Sequence, residues 1–222
     1  MLEHKIIKLY LNDNRYITDI NIQLKPHQIT HLKGPNGSGK STIARSIIGI
    51  YNNKSELETY LDQINISKLP IEERIKKSIY YSFQSPISIK GVSLLNILRE
   101  SYLNSYIEKK LDIISFKKKI LELFNTLNLN PELLNRDIND RYSGGEMKKI
   151  ELIFPLILNA NYIFLDEIDS GLDIHSKKTV YRIIDQLKEQ GKSILIISHE
   201  NIQKMISIDQ VIDITNIKYM NE

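Results

Sequence analysis

The run Gly34-Pro35-Asn36-Gly37-Ser38-Gly39-Lys40-Ser41-Thr42 fits the spacing G-x-x-x-x-G-K-[ST]. Glycines there let successive backbone N–H groups turn inward around an anion. A helix opening at Lys40 adds the positive end of its dipole. The expected chemistry is the holding of a polyphosphate, with Lys40 on the β- and γ-phosphates and the Ser41 hydroxyl on Mg2+. A second candidate is Tyr162-Ile163-Phe164-Leu165-Asp166-Glu167, an apolar run closed by two acids. Ligands bind at strand ends in open α/β sheets. Asp166 could hold Mg2+ through water, and Glu167 could polarise a water for attack on a γ-phosphate. Two solvated turn acids are the other reading, and a neighbouring phosphate loop weakens it. In Tyr142-Ser143-Gly144-Gly145-Glu146, a capping box explains Ser143 and Glu146 without any ligand. It does not explain two glycines in a first helical turn, where their propensity is poor. Close approach of that backbone to a phosphate does. Ser198-His199 follows the last buried strand, at the same sheet end as Asp166. Its imidazole either contacts a γ-phosphate or is a surface histidine at a helix start. Gln84, after the strand pattern 78–83, offers an amide that could touch both Mg2+ and the attacking water. His4, His27, His31 and His175 have no partner identifiable in the sequence and are read as structural.

These groups meet only if strands and helices bring them to one sheet end. The patterns over 5–9, 20–24 and 29–33 predict short strands, broken at Asn12–Asn14 and Pro26. A helix is expected from Lys40 to about Ile50. Residues 52–70 are polar and poorly patterned and read as a surface insertion. Segments 93–110 and 116–128 have helical spacing, with Phe116, Ile120, Leu123, Phe124 and Leu127 on one face and Lys117–Lys119 on the wet one. From Ser143 a helix is expected with Ile150, Ile153, Phe154, Ile157 and Leu158 on one side. Pro155 falls inside it, where proline costs about 3 kcal/mol and kinks the axis. That helix therefore bends or is shorter than its pattern. Strands over 162–165 and 194–197 alternate with a helix over 174–190 that stops before Gly191. Helix alternating with fully apolar strand argues for an α/β fold, a parallel sheet covered on both faces.

A chain of 222 residues is one domain, or one domain with two lobes. It can bury roughly 70–75% of its unfolded surface without staples. Lys and Arg number 30 against 27 Asp and Glu, a net charge of +3, too balanced to make nucleic acid the default partner. The chain has no cysteine, so it carries no disulfide, no thiolate zinc site and no cysteine-held iron–sulfur cluster. The longest apolar stretch, 152–158, is interrupted by Pro155 and far short of the ~18 residues a spanning helix needs. Met1-Leu2-Glu3-His4-Lys5 lacks the basic end and apolar run of a signal peptide. The expectation is a cytoplasmic location, or an organelle stroma or matrix, without membrane insertion.

In this order, the phosphate loop, Gln84, Ser143-Gly144-Gly145-Glu146, Leu165-Asp166-Glu167 and His199 resemble the Walker A, Q-loop, signature, Walker B and switch histidine of the ATP-binding cassette (ABC) ATPases. The resemblance covers almost the whole chain. It implies a P-loop NTPase fold: a RecA-like core, an N-terminal antiparallel β part and a helical lobe. Residues 1–84 and 146–222 would form the nucleotide-binding core lobe of a single domain, and 85–145 the helical lobe with the signature. It implies Mg2+-dependent ATP hydrolysis, with Glu167, His199, Lys40 and Gln84 catalytic and Ser41, Gln84 and Asp166 around the metal. It also implies a transient head-to-tail homodimer, in which Ser143 and Gly145 contact the γ-phosphate bound by the partner chain.

Within the family, Ile168-Asp169-Ser170-Gly171-Leu172-Asp173 after the acids resembles the SufC-type ATPases of Suf iron–sulfur cluster assembly, where transporter subunits usually carry Pro and Thr. Phe83-Gln84-Ser85-Pro86 with Gly91-Val92-Ser93, Pro131-Glu132-Leu133-Leu134-Asn135-Arg136, and Met147-Lys148-Lys149 after the signature match as well. SufB-like and SufD-like scaffolds are the implied partners. They would couple around 84–92 and supply the cluster ligands that this chain lacks. The ATPase subunit of an ABC membrane transporter is the alternative. Lys149 could pair with Glu167 in the free monomer. Two features depart from the family: Pro26-His27-Gln28 stands where a Gly-Glu turn is usual, and no adenine-stacking aromatic is secure, Tyr10 being nearest by spacing.

Overall fold

The computed structural model describes residues 1–12, 14–82, 89–105, 112–138, 140–199 and 201–221. Its elements in chain order are β1 (Leu2–Tyr10), β2 (Arg15–Leu24), β3 (Gln28–Lys33), α1 (Lys40–Ile47), β4 (Glu56–Leu61), β5 (Ile64–Asn65), α2 (Ile71–Lys76), β6 (Ile79–Ser82), α3 (Leu94–Ser105), α4 (Ile113–Thr126), α5 (Gly144–Glu151), α6 (Ile153–Leu158), β7 (Tyr162–Asp166), α7 (Ile174–Glu189), β8 (Ser193–Ile197), β9 (Gln210–Asp213) and β10 (Tyr219–Asn221). A 3₁₀ turn, Pro131–Asn135, precedes the signature segment.

Two five-stranded sheets result, ordered β10-β2-β1-β4-β5 and β6-β7-β8-β3-β9. Every pairing in the first is antiparallel and every pairing in the second is parallel. The parallel sheet matches the sequence expectation, and its period of two explains the two cores. Ile163, Leu165, Ile194 and Ile196 point into one apolar cluster with residues of α3, α4, α6 and α7. Tyr162, Phe164, Leu195 and Ile197 point into the other, with α1 and the antiparallel sheet. Strands β3, β6, β7 and β8 run the same way, so Gly34, Asp166 and Ser198 lie at one sheet end. Among the described residues, no helix is long and apolar enough to cross a membrane.

Two readings are corrected, and a third element is added. Residues 52–70 are not a surface insertion: β4 pairs along β1 from Leu2↔Leu61 to Lys8↔Glu56, inside the antiparallel sheet. Its fully buried position is Thr59, whose hydroxyl meets His4 Nδ1 at 2.9 Å. His4 Nε2 in turn meets Ser46 Oγ of α1 at 2.9 Å. A polar residue at the core position hid the apolar alternation. The single helix expected after Ser143 is two, α5 and α6, meeting at Leu152. Pro155 has no N–H for the carbonyl of Glu151, and the Tyr80 hydroxyl donates to that carbonyl at 3.0 Å instead. The third is β10, a strand that the pattern did not reveal; its three residues are exposed and pair with β2. Where the family usually has glycine, His27 takes the left-handed conformation, φ 60°. The turn survives at the cost of a strained non-glycine residue.

Candidate active site

The loop from Gly34 to Gly39 joins β3 to α1. Gly37 and Gly39 have φ 73° and 95°, a region that side chains with a Cβ rarely adopt. A Cβ at Gly39 would lie 2.6 Å from Leu11, and one at Gly34 would lie 2.7 Å from Ile214 and 2.8 Å from Ser38 Oγ. The loop is thus packed closely against Leu11 and Ile214. Lys40 Nζ donates to the carbonyls of Gly34 and Pro35, each at 2.9 Å, which leaves the third donor of the ammonium for a phosphate oxygen. Burial pulls the Lys40 pKa down, and the Glu167 and Asp166 carboxylates oppose that shift. Arg15, on β2, donates to the Gly37 carbonyl at 2.8 Å, and its guanidinium stacks on Tyr219 of β10, 4.3 Å from the ring centroid.

Asp166 closes β7 and is wholly buried. The Tyr81 hydroxyl donates to its Oδ2 at 2.7 Å. Its Oδ1 is buried with no partner among the described residues, and so is Ser38 Oγ. An unpaired buried carboxylate oxygen suits a hydrated cation, and an unpaired buried hydroxyl in the Gly34–Gly39 loop suits a phosphate acceptor. The residues present therefore fit Mg2+ and a nucleotide polyphosphate, and Asp166, with the expected Ser41, would be the residues to hold the metal. Gln84, the third expected metal contact, lies outside the described residues, as do all of residues 83–88 in the expected coupling surface.

Glu167 follows in the left-handed conformation, φ 53°, with its N–H on the Ile197 carbonyl at 2.9 Å. Its Oε1 lies 3.0 Å from His199 Nε2. His199 is thus a partner of this acid; among the described residues no ion pair joins it to Lys149, a pairing the sequence allowed. The pair faces outward, with side-chain exposures of 40% for His199 and 20% for Glu167. Asp169 fixes the chain segment that carries His199: its Oδ2 accepts from Ser198 Oγ at 2.6 Å and from the Tyr181 hydroxyl at 2.8 Å. His31, read as structural, lies 3.3 Å by its Nε2 from the Ser198 carbonyl.

Ser143 caps α5 through a complete capping box with Glu146, so its polar contacts stay within its own helix start. A Cβ at Gly144 would meet nothing within 4 Å among the described residues, and one at Gly145 only Leu172 at 3.5 Å. The structure thus brings Lys40, Asp166, Glu167 and His199 to one sheet end, while the polar contacts of Ser143 stay at the start of α5. Tyr10 is buried in β1, its ring centroid 5.3 Å from that of Tyr16. It borders a recess of about 250 Å3 with Leu11, Asn12, Thr42 and Arg45. Sequence reading missed Tyr81, Arg45 and Arg15 as neighbours of the site. Only the register between β6 and β7, Tyr81 opposite Phe164, reveals the first.

Residues 17–170 match the family model described as ABC transporter. A probable ATP-dependent transporter, ycf16, of Trieres chinensis is 36% identical over 204 residues, 90% of this chain and 81% of that protein. A probable ABC transporter ATP-binding protein of Streptococcus pyogenes is 30% identical over 201 residues, 90% of this chain and 78% of the relative. Among solved structures, the ATP-binding cassette MJ1267 in its ADP conformation is 26% identical with a TM-score of 0.76, covering 98% of this chain and 89% of that one. The dimeric cassette MJ0796 bound to ADP and Pi shares the fold, with a TM-score of 0.81 at 23% identity over 96% of this chain and 94% of that one. The chain belongs to the ABC transporter family of ATP-hydrolysing cassettes, with ATP as its substrate and Mg2+ as its cofactor.

Proposed function

We propose that this cassette is a SufC-type ATPase, whose ATP hydrolysis drives a conformational change in a SufB- and SufD-like scaffold for iron–sulfur cluster assembly. The observation that carries this reading is Ile168-Asp169. Ile168 is wholly buried, and Asp169 holds Ser198 and Tyr181. The pair is built into the connection between the acids and His199, where transporter subunits usually carry Pro and Thr. The absence of cysteine agrees with a motor that leaves cluster ligation to its partners.

In this mechanism the loop N–H groups and Lys40 hold the β- and γ-phosphates. Ser41, Asp166 and Gln84 would hold Mg2+, which when bound would supply positive charge to the phosphate oxygens. Glu167 positions the water for in-line attack and takes its proton, while His199 orients Glu167 and faces the γ-phosphate. Positioning and electrostatics supply most of the rate. Residues 85–145 act as the helical lobe and the remainder as the core lobe, a division supported by α3 and α4 falling together between β6 and α5. Two chains close head to tail, and Ser143 and Gly145 reach the partner's nucleotide. The cassette acts in the cytoplasm or an organelle interior.

The second reading, a transporter ATPase, is favoured by the similarity to proteins named as a probable ATP-dependent transporter and a probable ABC transporter ATP-binding protein. The chain is tagged and purified gently from its own cells, and the co-purifying proteins are identified. A scaffold of the SufB type supports the proposal. An integral membrane permease moves the chain to the transporter class and leaves the ATP chemistry standing.

A further inference from the structure

We propose that Tyr81 is a positioning residue that sets which oxygen of Asp166 faces the Mg2+ of the bound nucleotide. The inference rests on the reading of Asp166 as the acid that holds that metal. Tyr81 lies on β6, and Asp166 ends the neighbouring parallel strand β7. The phenol hydroxyl reaches Asp166 Oδ2 at 2.7 Å. Arg45 Nε lies 3.4 Å from the same hydroxyl. A guanidinium can only donate, so the phenol oxygen accepts from Arg45 and its proton goes to Asp166. The direction of the relay is therefore fixed: Arg45 to Tyr81 to Oδ2.

The consequence lies at the other oxygen. Asp166 is 0% exposed, so its carboxylate is out of reach of bulk water. With Oδ2 engaged, Oδ1 is the oxygen left buried and without a partner among the described residues. A carboxylate held by one strong donor cannot rotate without breaking it, and a charge-assisted bond is the stronger kind. Tyr81 thus presents one defined oxygen to the cation, and the carboxylate reorients little when the metal arrives. Arg45 sits on α1, the helix that follows Lys40. The relay therefore also ties the phosphate-binding helix to the end of β7, joining the two halves of the Mg–nucleotide site through one phenol.

The test compares ATP binding in EDTA with binding across a Mg2+ titration, alongside thermal melting. Tyr81→Phe keeps the ring, and Tyr81→Met keeps an apolar filling with a different shape. Both are expected to bind metal-free ATP within about twofold of the unsubstituted protein, and to need about tenfold more Mg2+ for half-maximal enhancement, the scale of one hydrogen bond to a charged group. In an Asp166→Asn background the Tyr81→Phe shift is expected to vanish. Unchanged Mg2+ dependence in both variants overturns the proposal, and so does a shift that persists without the carboxylate. Loss of folding in both variants assigns Tyr81 to the core and overturns it as well. If Asp166→Asn alone leaves Mg2+ dependence intact, the reading of the metal site itself fails, an outcome distinct from failure of Tyr81.

Discussion

Glu167 occupies a backbone conformation that costs a residue with a Cβ about 1 kcal/mol or more. Its N–H is held by the β8 carbonyl of Ile197, and its carboxylate by His199. Both anchors survive replacement of one carboxyl oxygen by an amide, so Glu167→Gln tests the chemistry with the fold intact. The variant is expected to bind ATP normally and to release phosphate at least about a hundredfold more slowly, the usual contribution of a positioned base. Equilibrium nucleotide binding and phosphate release are the measurements; unchanged turnover removes Glu167 from the mechanism. His4 makes a separate prediction, on stability. Burial, assisted by the charge of Arg74, lowers its pKa from 6.5 to about 3. The unfolded chain therefore binds a proton that the folded chain refuses between those values. The stability contributed by neutral His4 is complete above pH 6.5 and is lost as pH falls toward 3. Between pH 7 and pH 5 that loss is about 2 kcal/mol. His4→Asn is expected to be less stable at pH 7, because Thr59 and Ser46 lose partners, yet to show a flatter acid limb in urea unfolding from pH 7 to pH 5. An acid limb as steep as that of the unsubstituted protein sinks the assignment.

Among the elements, the joint between α5 and α6 shows how a local rule is broken and repaired. Pro155 leaves the Glu151 carbonyl without its helical donor, and Tyr80 supplies one from β6. Burial holds the Tyr80 phenol far above its ordinary pKa, so it remains a donor. Tyr80→Phe is expected to destabilise the protein by about 1–3 kcal/mol, the cost of an orphaned buried carbonyl. Adding Pro155→Ala restores an N–H, so the double variant should recover part of the loss, and urea unfolding of the four proteins checks the coupling. Full additivity contradicts the account. The sequence announced the proline and the helix but not this partner, because Tyr80 is 71 residues away. The same limit governs the whole fold. The strands β7 and β8 were legible because both their faces are apolar. Strand β4 was not, because its buried position is Thr59, a threonine satisfied by a histidine. Strand β10 was not, because exposed residues held by pairing alone carry no hydrophobic period. At the site, Lys40, Asp166, Glu167 and His199 were legible as motifs, since their chemistry is written in contiguous residues. Tyr81, Arg45 and Arg15 were not, since only strand register and loop packing bring them near.

At the scale of the whole molecule, the signature segment poses a question that one chain does not answer. Glycines in a first helical turn cost up to about 1 kcal/mol each against alanine. Among the described residues nothing requires them: Gly144 has open space around it, and Gly145 has only Leu172 at ordinary contact distance. The capping box is complete without them, and neither has a positive φ. The contrast with Gly39 is direct, since φ 95° and the approach of Leu11 forbid a Cβ there within the monomer. If the fold does not need the signature glycines, the demand comes from outside it, and a head-to-tail partner bringing its own nucleotide to this backbone is the arrangement proposed above. Gly145→Ala is therefore expected to fold with stability equal to or up to about 1 kcal/mol above the unsubstituted protein. It should bind ATP at its own phosphate loop with unchanged affinity and lose ATP-driven dimerisation. Sedimentation with Mg2+ and ATP in a Glu167→Gln background, where hydrolysis is suppressed, measures this directly. A Gly145→Ala chain that dimerises as readily as its parent would place the partner's nucleotide elsewhere and leave the two glycines unexplained.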